Sequence, residues 1–168
     1  MTLQRRQQRR GSRFAACCAV IFACALAFGL ALQVHAATTE RIVTNPNTGL
    51  AISGFDPVAY FTDAVPRVGL ADHELAAFGV TWRFRNEGNM AAFVSDPDIY
   101  TPQFGGYDPV GVARGVATAG HPQLWLIHEK RLYLFQTAQT RERFTVDPDA
   151  LRAVAEEKWP DVERDLVP

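Results

Sequence analysis

The chain writes one phrase twice: "GFDPVA" at 54 to 59 returns as "GYDPVG" at 106 to 111, an offset of 52 residues. A longer pair, "WRFRNEGNMAAFVSDPD" at 82 to 98 and "YLFQTAQTRERFTVDPD" at 133 to 149, repeats at an offset of 51, so one single-residue gap reconciles the two blocks. Phe84 matches Phe135, Phe93 matches Phe144, and both "DPD" tripeptides are identical. An ordered repeat at this spacing restricts the fold to two similar units packed together, about 54–98 and 106–150.

Each unit has the same physical pattern. In the first, "HELAAF" and "VTWRFR" flank Gly79, and Trp82 and Phe84 alternate with Arg83 and Arg85, the period of a half-buried strand. In the second, "LWLIH" and "RLYLFQ" flank Glu129 and Lys130. Both predict a hairpin. A cap residue follows each, Asn86 or Thr137, and then a short helical segment that turns Met90 and Phe93, or Phe144, to the sheet. Beyond the second "DPD", "ALRAVAEEKW" predicts the longest helix, about 148–159, with Leu151, Val154 and Ala155 on one face and Pro160 as its stop. The expected fold class is α+β, two fused hairpin-plus-helix units closed by a longer C-terminal helix. Residues 37–53, polar and turn-rich, read as a flexible leader.

The first 36 residues carry five arginines and no acid, then an apolar run, then "VHA" ending at Ala36. This is the pattern of a secretory signal cleaved near Ala36, which predicts an exported chain, periplasmic or secreted, with no membrane span after cleavage. A retained anchor is the competing reading, because the run approaches the roughly 20 residues a spanning helix needs. Cys24 as a lipoprotein site and Arg9–Arg10 as a twin-arginine signal fit less well. All three cysteines, Cys17, Cys18 and Cys24, fall in this segment, so the mature chain holds no disulfide and no thiolate. Losing five of 17 basic residues leaves twelve against 18 acids, a formal charge near −6. That charge disfavours nucleic acid and anionic lipid as partners.

The DPV step, the aromatic hairpin strand, the short helix ending in Phe and the following DP step together resemble the YHS domain family. "GFDPVAYF", "DPDIYTPQFGGYDPV", "LWLIHEKRLYLF" and the terminal "KWP" are similar to its exported, extended members, over Gly54 to Pro160. Metal-binding YHS domains, like the related TRASH domains, place cysteines after the DPV and on the hairpin-to-helix segment, where thiolates suit soft or borderline metals. Here Ala59 and Gly111 follow the DPV steps, while Arg85, Asn89, Gln136 and Thr140 take the other places, and Asp108 stands where extended members commonly carry cysteine after "GGY". The resemblance thus implies the scaffold without a thiolate metal site.

Candidate chemistry is sparse. Asp56 and Asp108, each before a proline, read either as turn caps or as a carboxylate pair serving hard metal or acid–base hydrolysis. His73, His121 and His128 offer metal ligands with Asp56 and Asp108, but His121 and His128 sit at opposite ends of one expected strand. The inter-unit link is the expected ligand site, through Tyr100, Gln103, Phe104, Gly105, Gly106, Tyr107, Asp108 and Arg114: its glycines permit close approach and its aromatics an amphipathic rim. No phosphate loop, GxSxG, HExxH or CxxC occurs in the mature sequence. The leading expectation is a non-enzymatic accessory protein of the cell envelope that binds a small molecule or a partner protein. A His/carboxylate metal-handling protein and a hydrolase using Asp56 and Asp108 are the alternatives.

Overall fold

Side-chain alternation sets the strands. In the computed structural model, which describes residues 40–166 of the unit Ala37–Pro168, Trp82 and Phe84 are fully buried and Arg83 between them is not. They belong to β2 (Val80–Phe84), paired antiparallel with β1 (Leu70–Ala77) in the register Leu75↔Trp82 and Ala77↔Val80. The second hairpin repeats this with β3 (His121–His128) and β4 (Arg131–Phe135), registered Leu126↔Tyr133 and His128↔Arg131. Even the register irregularity recurs, between Leu70 and Glu74 and between His121 and Trp125. The turn residues Phe78 and Gly79, and Glu129 and Lys130, all have positive φ, the geometry that two-residue hairpin loops require. Readings of the first 36 residues, their cysteines and residues 37–39 lie outside the described residues.

A single helical turn follows the first DPV step, α1 (Ala59–Thr62), and one begins at the proline of the second, α4 (Pro109–Val112). After each hairpin come α2 (Glu87–Ser95) with α3 (Pro97–Tyr100), and α5 (Ala138–Val146) with α6 (Pro148–Arg164). The expected caps hold: Asn86 Oδ1 accepts the Asn89 N–H at 2.8 Å and Thr137 Oγ1 the Thr140 N–H at 3.1 Å. The molecule is α+β, with two small antiparallel hairpins, several helices and a long C-terminal one. No helix among the described residues is long and apolar enough to cross a membrane.

The core is two aromatic clusters that share one strand. Tyr133 and Phe135 face Phe144, Tyr107, Phe104 and Ala155, while Leu132 and Leu134 face Trp82, Phe84, Phe93 and Tyr60. The unbroken apolar run of "RLYLF" is therefore a strand covered on both faces. Tyr60 ties the halves by donating from its hydroxyl to the Pro122 carbonyl at 2.8 Å.

Two boundaries differ from the sequence expectation. Pro160 does not stop the last helix, which runs on to Arg164. Proline removes only its own N–H donor and sits here on the exposed side, while Val162 and Leu166 beyond it are buried and hold the extra turn. The supposed leader is part of the core from residue 42 on, since Val43, Leu50, Ala51 and Ile52 are all buried. Its backbone is paired as well: the Val43 N–H reaches the Gly105 carbonyl at 2.8 Å and the Ala51 N–H the Thr81 carbonyl at 2.9 Å. The polar "TNPNTG" that suggested a loose leader is only the tight turn in its middle.

Candidate ligand-binding cleft

The two DPV aspartates are spent on the backbone. Asp56 is 0% exposed and its Oδ1 accepts the Val58 and Ala59 N–H groups, at 2.8 and 3.3 Å, fixing the turn into α1. Its Oδ2 accepts the Arg85 N–H at 2.8 Å and the Asn89 side-chain amide at 2.6 Å. Asp108, 1% exposed, repeats the scheme with the Val110 and Gln136 N–H groups, each at 2.8 Å. Each carboxylate pins its turn to the end of its own hairpin, and neither lines a cleft described below. Proximity to the Asp56 charge adds to burial in raising the Tyr60 hydroxyl well above the usual tyrosine range.

The inter-unit link is closed rather than open. Phe104, Gly105, Gly106, Tyr107 and Asp108 are all buried, and Tyr100 stacks edge-on against Phe61 at 5.3 Å. Gly105, at φ +63°, lies so close to the Arg41 carbonyl that a Cβ there would collide with it. The segment read as a leader thus covers the loop that glycines and aromatics had marked as a ligand site. Gln103 is half-buried, and Arg114 is exposed at a separate groove of about 490 Å³ with Val110, Val146 and Val154.

Next to the link is a larger cleft of about 610 Å³. The turn of the first hairpin (Phe78 to Val80), α3 and the residue after it (Asp98, Thr101), the far end of α6 (Trp159, Glu163), Gly105 and residues 40–42 form its walls. Phe78 is 58% exposed although it occupies a left-handed backbone position, φ 56°, that bulky side chains avoid. Trp159 rests on Phe104 and Tyr107, at 5.6 and 6.1 Å between centroids, and its remaining surface faces the cleft. The carboxylates of Asp98 and Glu163 have no hydrogen-bonding or ionic partner among the described residues, whereas Glu40 accepts from the Thr44 hydroxyl. Among the described residues, Arg41 is the one basic residue lining the cleft. The Thr101 hydroxyl is buried without a hydrogen-bond partner among the described residues.

The matching place in the second copy is occupied by paired charged side chains. His128 Nε2 meets Asp149 Oδ1 at 2.9 Å, and Arg152 reaches Glu129 at 3.4 Å, Asp149 at 3.5 Å and Glu156 at 3.2 Å. The hydrogen bond from His128 holds the Asp149 carboxyl below its ordinary range, and Glu156 with its neighbours holds the Arg152 guanidinium firmly protonated. His128, Glu129 and Asp149 are the one grouping of three potential metal ligands among the described residues, with donor atoms within 4.8 Å of one another. Arg152 already supplies positive charge to two of the three. His73 lies on β1, and His121, at the far end of β3 from His128, accepts the Gln123 N–H at 3.1 Å. The three histidines are not brought together.

Phe78, Asp98, Thr101 and Glu163 line the 610 Å³ cleft without any motif of the sequence marking them as site residues, and Trp159 is both core and cleft wall. The signal that finds them is a difference between the copies: Phe78 matches Glu129, and Thr101 matches Arg152. A position that is ionic and filled in one copy is short, aromatic and open in the other. Neither a family model, a curated protein nor a solved structure matches the chain.

Proposed function

We propose that this is an exported, non-enzymatic binding protein of the cell envelope on a duplicated YHS-like scaffold, and that the 610 Å³ cleft is where it takes its ligand. The observation that carries the reading is Phe78: an aromatic side chain left more than half exposed, on a strained turn, lining the 610 Å³ cleft. Folding alone does not favour that arrangement, since glycine or asparagine would suit the turn and a polar side chain the exposure. The size, the apolar and aromatic walls and the few polar groups match the usual form of small-molecule sites. A hydrolytic role for Asp56 and Asp108 has no support in a pair of carboxylates closed off by backbone amides. The signal-like first 36 residues and the thiol-free remainder support export.

The test is a ligand screen read by the fluorescence of Trp159 and by amide resonances around the cleft. Binders that perturb Thr101, Gly105 and Trp159, and that weaken on Phe78→Ala, support the reading. Binders that act only at the Arg114 groove, or no binder at all across a chemically broad library, would refute it.

A further inference from the structure

The duplication gives the cleft a built-in reference for its occupant. At an offset of 51 residues, Asp98 on α3 corresponds to Asp149 on α6, and the turn residue Phe78 to Glu129. Thr101 corresponds to Arg152. In the second copy the Arg152 guanidinium lies between the hairpin turn and the first turns of the helix, held by Glu129, Asp149 and Glu156. The first copy keeps the aspartate but has a threonine in place of the arginine, and its hairpin turn is aromatic instead of acidic.

We infer that the cleft takes the cationic end of a ligand, a guanidinium or primary ammonium on an apolar body, in the role that Arg152 plays for the other copy. This deepens the binding reading above and rests on it. Three features of the cleft agree with a cation. The Asp98 and Glu163 carboxylates line it without partners among the described residues, so charge is available there. Phe78 and Trp159 offer the aromatic surface that attracts ammonium and guanidinium groups. Among the described residues lining it, the acidic Glu40, Asp98 and Glu163 outnumber Arg41. Nearby, Arg131 is already committed, donating from Nη1 to the Asp98 carbonyl and not to its carboxylate. An anionic ligand would meet unpaired carboxylates at close range, an arrangement that binding sites avoid.

Four probes that share one apolar body separate the possibilities: phenethylguanidine, phenethylamine, phenethyl alcohol and 3-phenylpropanoate, titrated into the protein with amide and indole resonances as the readout. Expected is one site shifting Asp98, Thr101, Gly105 and Trp159, with both cations binding about tenfold more tightly than the alcohol. Asp98→Asn and Glu163→Gln should each weaken the cations severalfold and leave the alcohol unchanged. Thr101→Arg, which copies the second unit, should fill the cleft with its own guanidinium and abolish cation binding, whereas Thr101→Ala should retain it. If the alcohol or the carboxylate binds the same residues as tightly as the cations, the cleft remains a ligand site and the cation assignment is overturned. If none of the four perturbs the cleft while other members of the broad library do, the cation assignment falls and the binding reading stands.

Discussion

The Asp56 carboxylate accepts the backbone N–H of Arg85 at 2.8 Å across 29 positions of sequence, and Asp108 does the same to Gln136 across 28. A buried acceptor serving several donors cannot be removed without stranding them. Asp56 serves four donors and Asp108 two, so the two copies should respond unequally. Asp56→Ala is expected to cost roughly 3 kcal/mol or more, and Asp108→Ala about half as much. Urea unfolding of both variants measures the difference; equal costs would mean that the extra bonds to Ala59 and Asn89 contribute nothing.

Phe78→Asn should move stability and binding in opposite directions. Asparagine accepts the left-handed turn position, which relieves strain of about 1 kcal/mol, partly offset by losing the ring contact with Phe93 at 6.3 Å. The melting temperature should rise slightly while affinity at the cleft falls. A variant that gains neither stability nor loses affinity would show that the exposed ring is incidental.

Alkaline conditions should unfold the protein through Tyr60. Its hydroxyl is buried, near Asp56 and bonded to the Pro122 carbonyl, all of which favour the neutral form, so its folded pKa lies above the unfolded value. That contribution is fully present below about pH 10 and is lost as pH rises from there toward the folded pKa. Stability measured from pH 8 to 11.5 should fall with a slope that Tyr60→Phe reduces. Burial raises Tyr133 in the same sense, so part of the slope should remain.

Pro160 is a residual cost in the final helix. Its ring is exposed and its neighbours are helical, so Pro160→Ala restores the missing N–H donor without disturbing packing. A gain of about 2 kcal/mol is expected after allowing for the greater freedom of the unfolded chain. Thermal unfolding followed by circular dichroism checks it, and helix content should not drop.

Much of the scaffold could be read ahead of the structure because the information was local. The hairpins follow from the alternation at Trp82 and Phe84, and the helix starts from the caps Asn86 and Thr137. What could not be read was long-range. Nothing near Val43 in sequence announces that its amide will reach Gly105, and only buried Val162 and Leu166 explain a helix that ignores its proline. The burial of the inter-unit link is long-range in the same way. Gly105 and its aromatic neighbours did mark a point of close approach, but the approaching group is the chain's own Arg41 carbonyl. The cleft lies beside it, assembled from five stretches that no window along the sequence contains together.

The N-terminal segment at residues 42–52 also has a consequence in time. It is synthesised before everything it rests on: Thr81, Gly105 and Tyr107 all follow it, and its Val43 and Ile52 belong to different aromatic clusters. Until the second copy has emerged, the first part of the domain has only half its seat. The segment must therefore wait and dock late, closing loops of several dozen residues in a step whose entropic cost slows it. Refolding should show hairpin formation ahead of the burial of residues 42–52, the earliest piece of the domain becoming its final latch.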